Sequence, residues 1–440
     1  MIKFKLILGG PGTGKTEYLI RIVEQVLASG RRPNEVAFVT FTRAAASEAR
    51  QRAAAFLRLS PSELPHFRTL HSLCFKQLGL RRGDVLEGAA LRELEELAGE
   101  RDSRDLLDGQ AGPWEIEQLA RVTNLDAEDL ARESQLDIYR FRRAVAIRAK
   151  FKAARKLLDF TDMLERYVDA GRPLDTRLAI IDEAQDLTPL QWKVVRRAFG
   201  DNQEVAVAGD DDQAIHEWAG ATLSPLFEHN GERETLTVSH RLPAAVYRLA
   251  AGAVAPLARR IAKNTVPPTR EGSVTWYLDP TEVSLLPGTW LLLARARYQL
   301  DELVTVARLA GVPYTVNGQS SVNPELLAAA KQHEDAWRPG QPHWHDALIK
   351  FPLDEREYLL ACRRAGERLN VPPRVAIDTV HGAKGRQADH VLLLTDLTSR
   401  ITRRAEADPD PECRVLYVGL TRARESLHIV QPRGLYAWSF

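Results

Sequence analysis

The run Gly9-Gly10-Pro11-Gly12-Thr13-Gly14-Lys15-Thr16 has residue types and spacing suited to gripping a triphosphate. Its glycines let successive backbone N–H groups converge on phosphate oxygens, at the start of a helix that already favours anions. Gly10, Pro11, Gly12, Thr13 and Gly14 would form the cradle. Lys15 would reach the terminal phosphates, and Thr16 would offer its hydroxyl to Mg2+. Such a loop needs a carboxylate at the end of a buried strand. Leu178-Ala179-Ile180-Ile181-Asp182-Glu183 supplies one: four apolar residues bury the strand, and two acids emerge at its carboxyl end, where α/β folds bind ligands. Asp182 is suited to hold Mg2+, and Glu183 to orient and deprotonate an attacking water. Each run alone has a bland reading, as a glycine turn or a solvated acidic turn. Together, with a strand-like segment before the loop and a helical one after it, they describe a nucleotide site for ATP and Mg2+.

The elements that must position these groups are visible as apolar runs. Strand candidates are 3–8, 36–40, 178–181, 205–208, 290–293, 375–379, 391–394 and 427–430. They alternate with amphipathic helical stretches, the mark of α/β layering. The strands fall into two sets, which gives two α/β lobes. The first takes residues 1–77 and 165–238, interrupted by a charged helical insertion over 78–164. The second takes 239–318 and 373–440, interrupted by a shorter insertion over 319–372 that is richer in Pro, His and Trp. In that shorter insertion Trp337, Trp344 and Phe351 are expected to form a small core, with contact to a bound strand as the alternative.

Composition bounds the partners. There are 60 Lys and Arg against 59 Asp and Glu, a formal net charge of +1, so any nucleic-acid binding must come from local basic surface. One basic run stands out, from Arg140 through Arg142, Arg143, Arg148, Lys150, Lys152 and Arg155 to Lys156. A solvated helix face and a strand-binding face fit it equally. Three scattered cysteines argue against a disulfide framework or a structural zinc site. No apolar run is long enough to cross a bilayer, and the N-terminus reads as a strand rather than a leader, so a cytoplasmic protein is expected.

The chain resembles the UvrD/Rep-like superfamily 1 helicases, with motifs in the family's order. The phosphate loop is similar to motif I. Thr40-Phe41-Thr42-Arg43, followed by Glu48 and Arg50, looks like motif Ia, and Thr69-Leu70-His71-Ser72 like motif Ib. Asp182-Glu183-Ala184-Gln185-Asp186 resembles motif II, and Gly209–Ala221, with Gln213 and Trp218, resembles motif III. Ser239-His240-Arg241 is similar to motif IV, Thr379–Gly385 to motif V, and Leu416–Arg424 to motif VI. The resemblance implies two RecA-like lobes with ATP in a cleft between them. It further implies that Gln213 senses the γ-phosphate and that Arg241 and Arg422 deliver positive charge to it. Thr42, Arg43, His71, Thr379 and His381 become candidates for strand phosphates, and Trp218 for stacking on a base.

What the resemblance implies is an ATP-dependent helicase or translocase moving 3′→5′ on single-stranded DNA and at single-strand/duplex junctions. RNA stays open, because stacking and phosphate contacts do not select the sugar. A nucleotide-gated binding subunit that regulates a partner nuclease or replication protein is the alternative. Departures from the family cluster around the base and ribose. The adenine-reading segment usually found upstream of motif I is not present before the first strand. Glu17 stands where close relatives carry a basic residue, His240 replaces the tyrosine that stacks on adenine, and Gln387 replaces a glutamate that meets the ribose. A site with few groups reading the base edge discriminates weakly. GTP is therefore expected to be hydrolysed with a kcat/KM within about tenfold of that for ATP. Steady-state hydrolysis of the two nucleotides side by side checks this, and a large ATP preference would contradict it.

Overall fold

A computed structural model describes residues 4–102, 111–200, 204–266, 268–285 and 287–438. The chain divides into two compact units: Met1–His240 with Arg260–Val266, and Arg241–Arg259 with Pro267–Phe440. The boundary differs from the expected break at residue 239. Ser239 and His240 stay with the first unit, and so does a later stretch, Arg260–Val266.

The first unit is built on a six-stranded sheet of β1 (Lys5–Gly9), β2 (Val36–Thr40), β3 (Phe67–Thr69), β4 (Leu178–Ile181), β5 (Glu204–Gly209) and β6 (Arg233–Leu236). Their order is β3-β2-β4-β5-β1-β6, and every pairing is parallel. Alternate residues of one strand enter opposite cores. Leu6 and Leu8 pack with Ala179, Ile181 and Val207 on one face, while Ile7 packs with Phe38 and Ile180 on the other. A strand covered on both faces must be apolar throughout, and the four interior strands are the four that stood out as apolar runs. (Lys3, included in the first expected strand, lies outside the described residues.) The edge strands β3 and β6 did not stand out. They are short, and β6, Arg-Glu-Thr-Leu, has no fully buried residue.

The second unit carries β7 (Ser273–Tyr277), β8 (Trp290–Ala294), β9 (Tyr314–Val316), β10 (Gln319–Ser320), β11 (Val375–Thr379), β12 (Ala388–Leu394) and β13 (Ala423–Val430). The order is β10-β9-β11-β8-β12-β13-β7, parallel except for the β9–β10 hairpin. Here too the expected strands are interior ones, and the unforeseen β7, β9 and β10 lie at or beside the edges. No helix among the described residues is long and apolar enough to cross a membrane.

Both insertions are helical. Between β3 and β4 run helices Gly88–Ala98, Pro113–Thr123, Ala127–Glu133 and Ile138–Arg155, with one core of Leu94, Trp114, Ala144 and Phe151 and another of Ile116, Ala131 and Phe141. Between β10 and β11 run Pro324–Ala336, Trp344–Ala347 and Leu353–Arg364 around Leu326, Ala330, Trp344, Phe351 and Leu359. Trp344 and Phe351 thus belong to that small core. Trp337 does not: it stacks on His343 with ring centroids 4.9 Å apart, and its indole N–H is held by the Gln341 carbonyl at 2.9 Å.

A polar chain crosses the second sheet among β7, β12 and β13. Tyr277 Oη lies 3.1 Å from His428 Nδ1, His428 Nε2 lies 2.8 Å from Ser426 Oγ, and Ser426 Oγ lies 2.8 Å from His390 Nδ1. His390 Nε2 ends the chain at the Pro287 carbonyl, 3.2 Å away. One proton arrangement satisfies every link: Tyr277 donates to His428, His428 to Ser426, Ser426 to His390, and His390 to the carbonyl. Burial and the nearby His390 push His428 down from 6.5 to about 4. The unfolded chain takes up that proton near 6.5 while the folded chain resists it to about 4, so acid favours unfolding between those values. The urea midpoint of the second unit is expected to fall as pH drops from 6.5 to 4, and to fall less in His428→Asn; equal slopes would refute this role.

Candidate nucleotide site and strand-binding groups

In the first unit, β4, β5 and β1 are neighbours, so their carboxyl ends open side by side. β1 runs into the loop Gly10–Gly14, and Lys15–Ala28 continues as a helix. Gly12 and Gly14 have φ of 75° and 78°, left-handed values that favour glycine. No side chain caps this helix, so its first N–H groups face the loop's concavity. The Lys15 ammonium donates to the carbonyls of Gly9 at 2.6 Å and Gly10 at 3.4 Å. The loop's outer rim is tied by residues expected in the other lobe: Ser239 Oγ donates to the Pro11 carbonyl at 2.8 Å, and the His240 N–H to the Gly12 carbonyl at 2.9 Å.

At the end of β4, Asp182 Oδ2 accepts from Thr16 Oγ1 at 3.3 Å, and Asp182 Oδ1 from the Glu183 N–H at 2.9 Å. Burial and the adjacent Glu183 push the Asp182 carboxyl up to about 7, against the pull of Lys15. A buried carboxylate beside a second acid and next to a hydroxyl is a donor set that a hard divalent cation fits. Thr16 and Asp182 are the residues that would hold Mg2+. Glu183 has φ 56°, a left-handed conformation in a non-glycine residue of the kind that clusters at functional sites. Its Oε2 accepts from Gln185 Nε2 at 2.5 Å, and Gln185 Oε1 accepts from the Asp210 N–H at 3.0 Å. Fully buried Gln185 therefore links the ends of β4 and β5. Gln213 follows β5, with its Nε2 donating to Asp210 Oδ2 at 2.6 Å. Glu17 points its carboxylate along the helix to Arg21, at 2.8 Å.

In the second unit, Arg241 Nη1 donates to Gln387 Oε1 at 2.9 Å. Arg422 is buried at the end of helix Asp410–Leu420, bonded to the Val418 carbonyl at 2.8 Å, Thr421 Oγ1 at 3.0 Å and the Arg386 carbonyl at 3.4 Å. Through Arg386 and Gln387 the two candidate arginines converge. Thr379 and His381 lie at the end of β11, where Thr379 Oγ1 accepts from the Gly382 N–H at 3.1 Å. A Cβ at Gly382 would meet the Asp378 carboxylate at 2.0 Å, so this turn needs glycine.

Among the strand-binding candidates of the first unit, Thr42 caps helix Arg43–Leu57 by accepting from the Ala45 N–H at 3.1 Å. Arg43, next to it, is exposed. His71 meets Phe160 edge-on at 5.9 Å, and burial, with Arg43 nearby, lowers it to about 4, so its ring is neutral. Trp218 is half-buried and lies edge-on to His216 at 6.1 Å, and His216 stacks on Phe41 at 5.6 Å. Phe41 and His216 extend the aromatic surface beyond the one ring expected. The basic helix Ile138–Arg155 resolves mainly as scaffold. Arg140 pairs with Glu100 at 2.7 Å, Arg142 with Glu128 at 2.6 Å, Arg148 with Asp159 at 3.1 Å, Lys152 with Asp162 at 2.7 Å, and Arg155 with Glu93. Arg143, Lys150 and Lys156 remain exposed.

Residues 3–232 match the UvrD/REP helicase N-terminal domain, and residues 374–430 the UvrD-like helicase C-terminal domain. The first match alone spans over half of the chain. The chain belongs to the UvrD/Rep helicase family. As a UvrD/Rep-family protein it is an enzyme of the DNA helicase/ATPase class, and its two mainly parallel sheets are the sheets of two RecA-like lobes. The ATP-dependent DNA helicase UvrD2 of Mycobacterium tuberculosis (strain ATCC 25618 / H37Rv) is 26% identical over 548 residues, covering 96% of this chain and 75% of that protein. The ATP-dependent DNA helicase Rep of Escherichia coli (strain K12) is 26% identical over 240 residues, 49% of this chain and 35% of that protein. A solved complex of arterivirus nonstructural protein 10 (helicase) with DNA aligns over 98% of this chain and 62% of that one, at a TM-score of 0.38 and 12% identity.

The UvrD/Rep motifs place Gln185 in motif II, but only the fold gives it a task. Gln185→Ala removes the amide's bond to the Glu183 carboxylate and the acceptor of the Asp210 N–H. The expected result is a fall of about ten- to a hundredfold in kcat for ATP, with KM within about twofold. Steady-state ATPase kinetics read both, and an unchanged kcat would contradict the linking role.

Proposed function

We propose that the chain is an ATP-driven motor that moves 3′→5′ on single-stranded DNA and separates duplex ahead of it. The observation that carries the proposal is the gathering of Lys15, Thr16, Asp182, Glu183 and Gln213 at the carboxyl ends of three adjacent strands, in a chain of helicase family. The polarity rests on the family resemblance.

In this reading the loop N–H groups and Lys15 hold the phosphates. Mg2+, when bound, neutralises phosphate charge. Glu183, aimed by Gln185, takes the proton of a water whose oxygen forms a bond to the γ-phosphorus as the bond to the β–γ bridging oxygen breaks. ADP and phosphate leave. Arg241 and Arg422 are assigned the positive charge that offsets the transferring phosphoryl group, and Gln213 the sensing of whether that group is present. His240 and Gln387 are assigned to the base and ribose, with Gln387 exchanging its bond to Arg241 for one to the sugar. Thr42, Arg43, Thr379 and His381 are assigned to strand phosphates, and Phe41, His216 and Trp218 to stacked bases. Neutral His71 would donate a hydrogen bond rather than a charge.

The test is release of a labelled strand from duplexes with 3′ or 5′ tails, beside Glu183→Gln. The wild type is expected to unwind the 3′-tailed substrate. Glu183→Gln is expected to bind ATP while losing about 10²–10⁴ in hydrolysis rate. DNA-stimulated hydrolysis without strand release from either substrate would instead favour a nucleotide-gated subunit serving a partner nuclease or replication protein.

A further inference from the structure

Arg260–Val266 belongs to the first unit although the residues on both sides belong to the second. The Val266 N–H donates to the Thr237 carbonyl at 2.8 Å, in a parallel bridge of Val238 with Val266, and Ile261 packs on the unit's core. This strap carries Lys263 into a pocket of three consecutive carboxylates. The Lys263 ammonium lies 3.0 Å from Asp210 Oδ1, 2.6 Å from Asp211 Oδ1 and 2.8 Å from Asp212 Oδ2. The ammonium donates to Asp212 Oδ2 and is ion-paired with Asp210 and Asp211 as well. Lys263 is 4% exposed and the three aspartates 0%. Arg260 grips Asp212 with two further bonds of 2.8 Å, and the Ile261 N–H donates to Asp211 Oδ2 at 2.8 Å.

Nothing in the residue types around Lys263 announces this; in sequence it precedes Pro267 and Pro268. Yet three buried carboxylates cannot stay ionised without matched cations, since an isolated buried charge neutralises or draws in a partner. The division of Asp210 gives the lysine more than a structural task. Asp210 Oδ1 is held by Lys263 and Oδ2 by the Gln213 amide at 2.6 Å. Lys15 also lies within electrostatic reach of Asp210. Without Lys263, Asp210 Oδ1 keeps the Asp212 N–H at 3.3 Å but loses its charged partner, so the carboxylate that holds Gln213 is fixed less firmly.

We infer that Lys263 is a positioning residue for ATP hydrolysis, acting through Asp210 to set the orientation of Gln213. The inference rests on the reading of the first unit as the ATP site. Its test is a double-mutant cycle of Lys263→Met and Gln213→Ala, read by steady-state ATPase. Lys263→Met alone is expected to lower kcat about tenfold or more, with KM within about twofold. In the Gln213→Ala background it should cost less than about twofold, because the residue it acts through is gone. Equal losses in both backgrounds overturn the inference. Where Lys263→Met fails to fold, Asp212→Asn/Lys263→Met takes its place with the charge rebalanced. That variant is expected to melt like the wild type yet keep the low kcat; wild-type kcat from it means that Lys263 only balances charge. Wild-type chain that hydrolyses no ATP sinks the proposed function instead. The cycle is then read without turnover, as the melting temperature with ATPγS minus that with ADP. Lys263→Met should erase this difference; a difference retained in the variant, or missing from the wild type, overturns the inference.

Discussion

Carboxylates buried at the carboxyl ends of β4 and β5 need positive charge, and much of the first unit is arranged to supply it. Asp182 has Lys15 within electrostatic reach and Thr16 beside it. Asp210, Asp211 and Asp212 have Lys263 and Arg260. The acids can be there because interior strands, apolar on both faces, deliver their ends at one rim. The cations must then come from elsewhere in sequence: one from the P-loop helix, two from a strap that returns some fifty residues later. Removing any one of these charges leaves its partner in a medium that cannot solvate it.

The same economy of shared partners recurs through side-chain amides. Gln185 divides its amide between Glu183 and the Asp210 N–H, so the catalytic-base candidate and the segment bearing Gln213 are set by one side chain. In the second unit Gln387 holds Arg241, while the carbonyl before it meets Arg422. Amides suit such positions because they donate and accept at once and carry no charge to be compensated.

Legibility in the sequence followed burial and distance. Interior strands read as apolar runs because neither face meets water; β3, β6, β7, β9 and β10 escaped because strands that are very short or partly solvated carry no such signature. Lys15 and Thr16 could be placed by the glycine run that follows an apolar strand, and Asp182 and Glu183 by the apolar run they end. Lys263 could not, since its meaning comes from aspartates fifty residues earlier. The basic helix, which fitted a solvated face and a strand-binding face equally, shows the reverse problem. Its periodic charges resemble a polyanion surface, but their partners Glu93, Glu100 and Glu128 sit on segments that only folding brings near. Trp337, Trp344 and Phe351 looked equivalent as large apolar residues, and only packing separated the surface stack from the core. Ser239 and His240 fell on the wrong side of the expected boundary because motif order says nothing about which lobe a linker clings to.

Helix Leu353–Arg364 faces two ways. Leu359 enters the small core of the second insertion, while Tyr358 and Cys362 enter the core beneath the sheet, and the Tyr358 hydroxyl bonds the Val312 carbonyl at 2.8 Å. Gly311 lies so close that a Cβ there would meet the Ala361 carbonyl oxygen at 2.8 Å. The insertion is therefore not an appendage that can be trimmed to yield a minimal motor. Deleting it would unroof the hydrophobic interior on the β9 and β11 side, and any shortened version would have to keep this helix as a lid of its own.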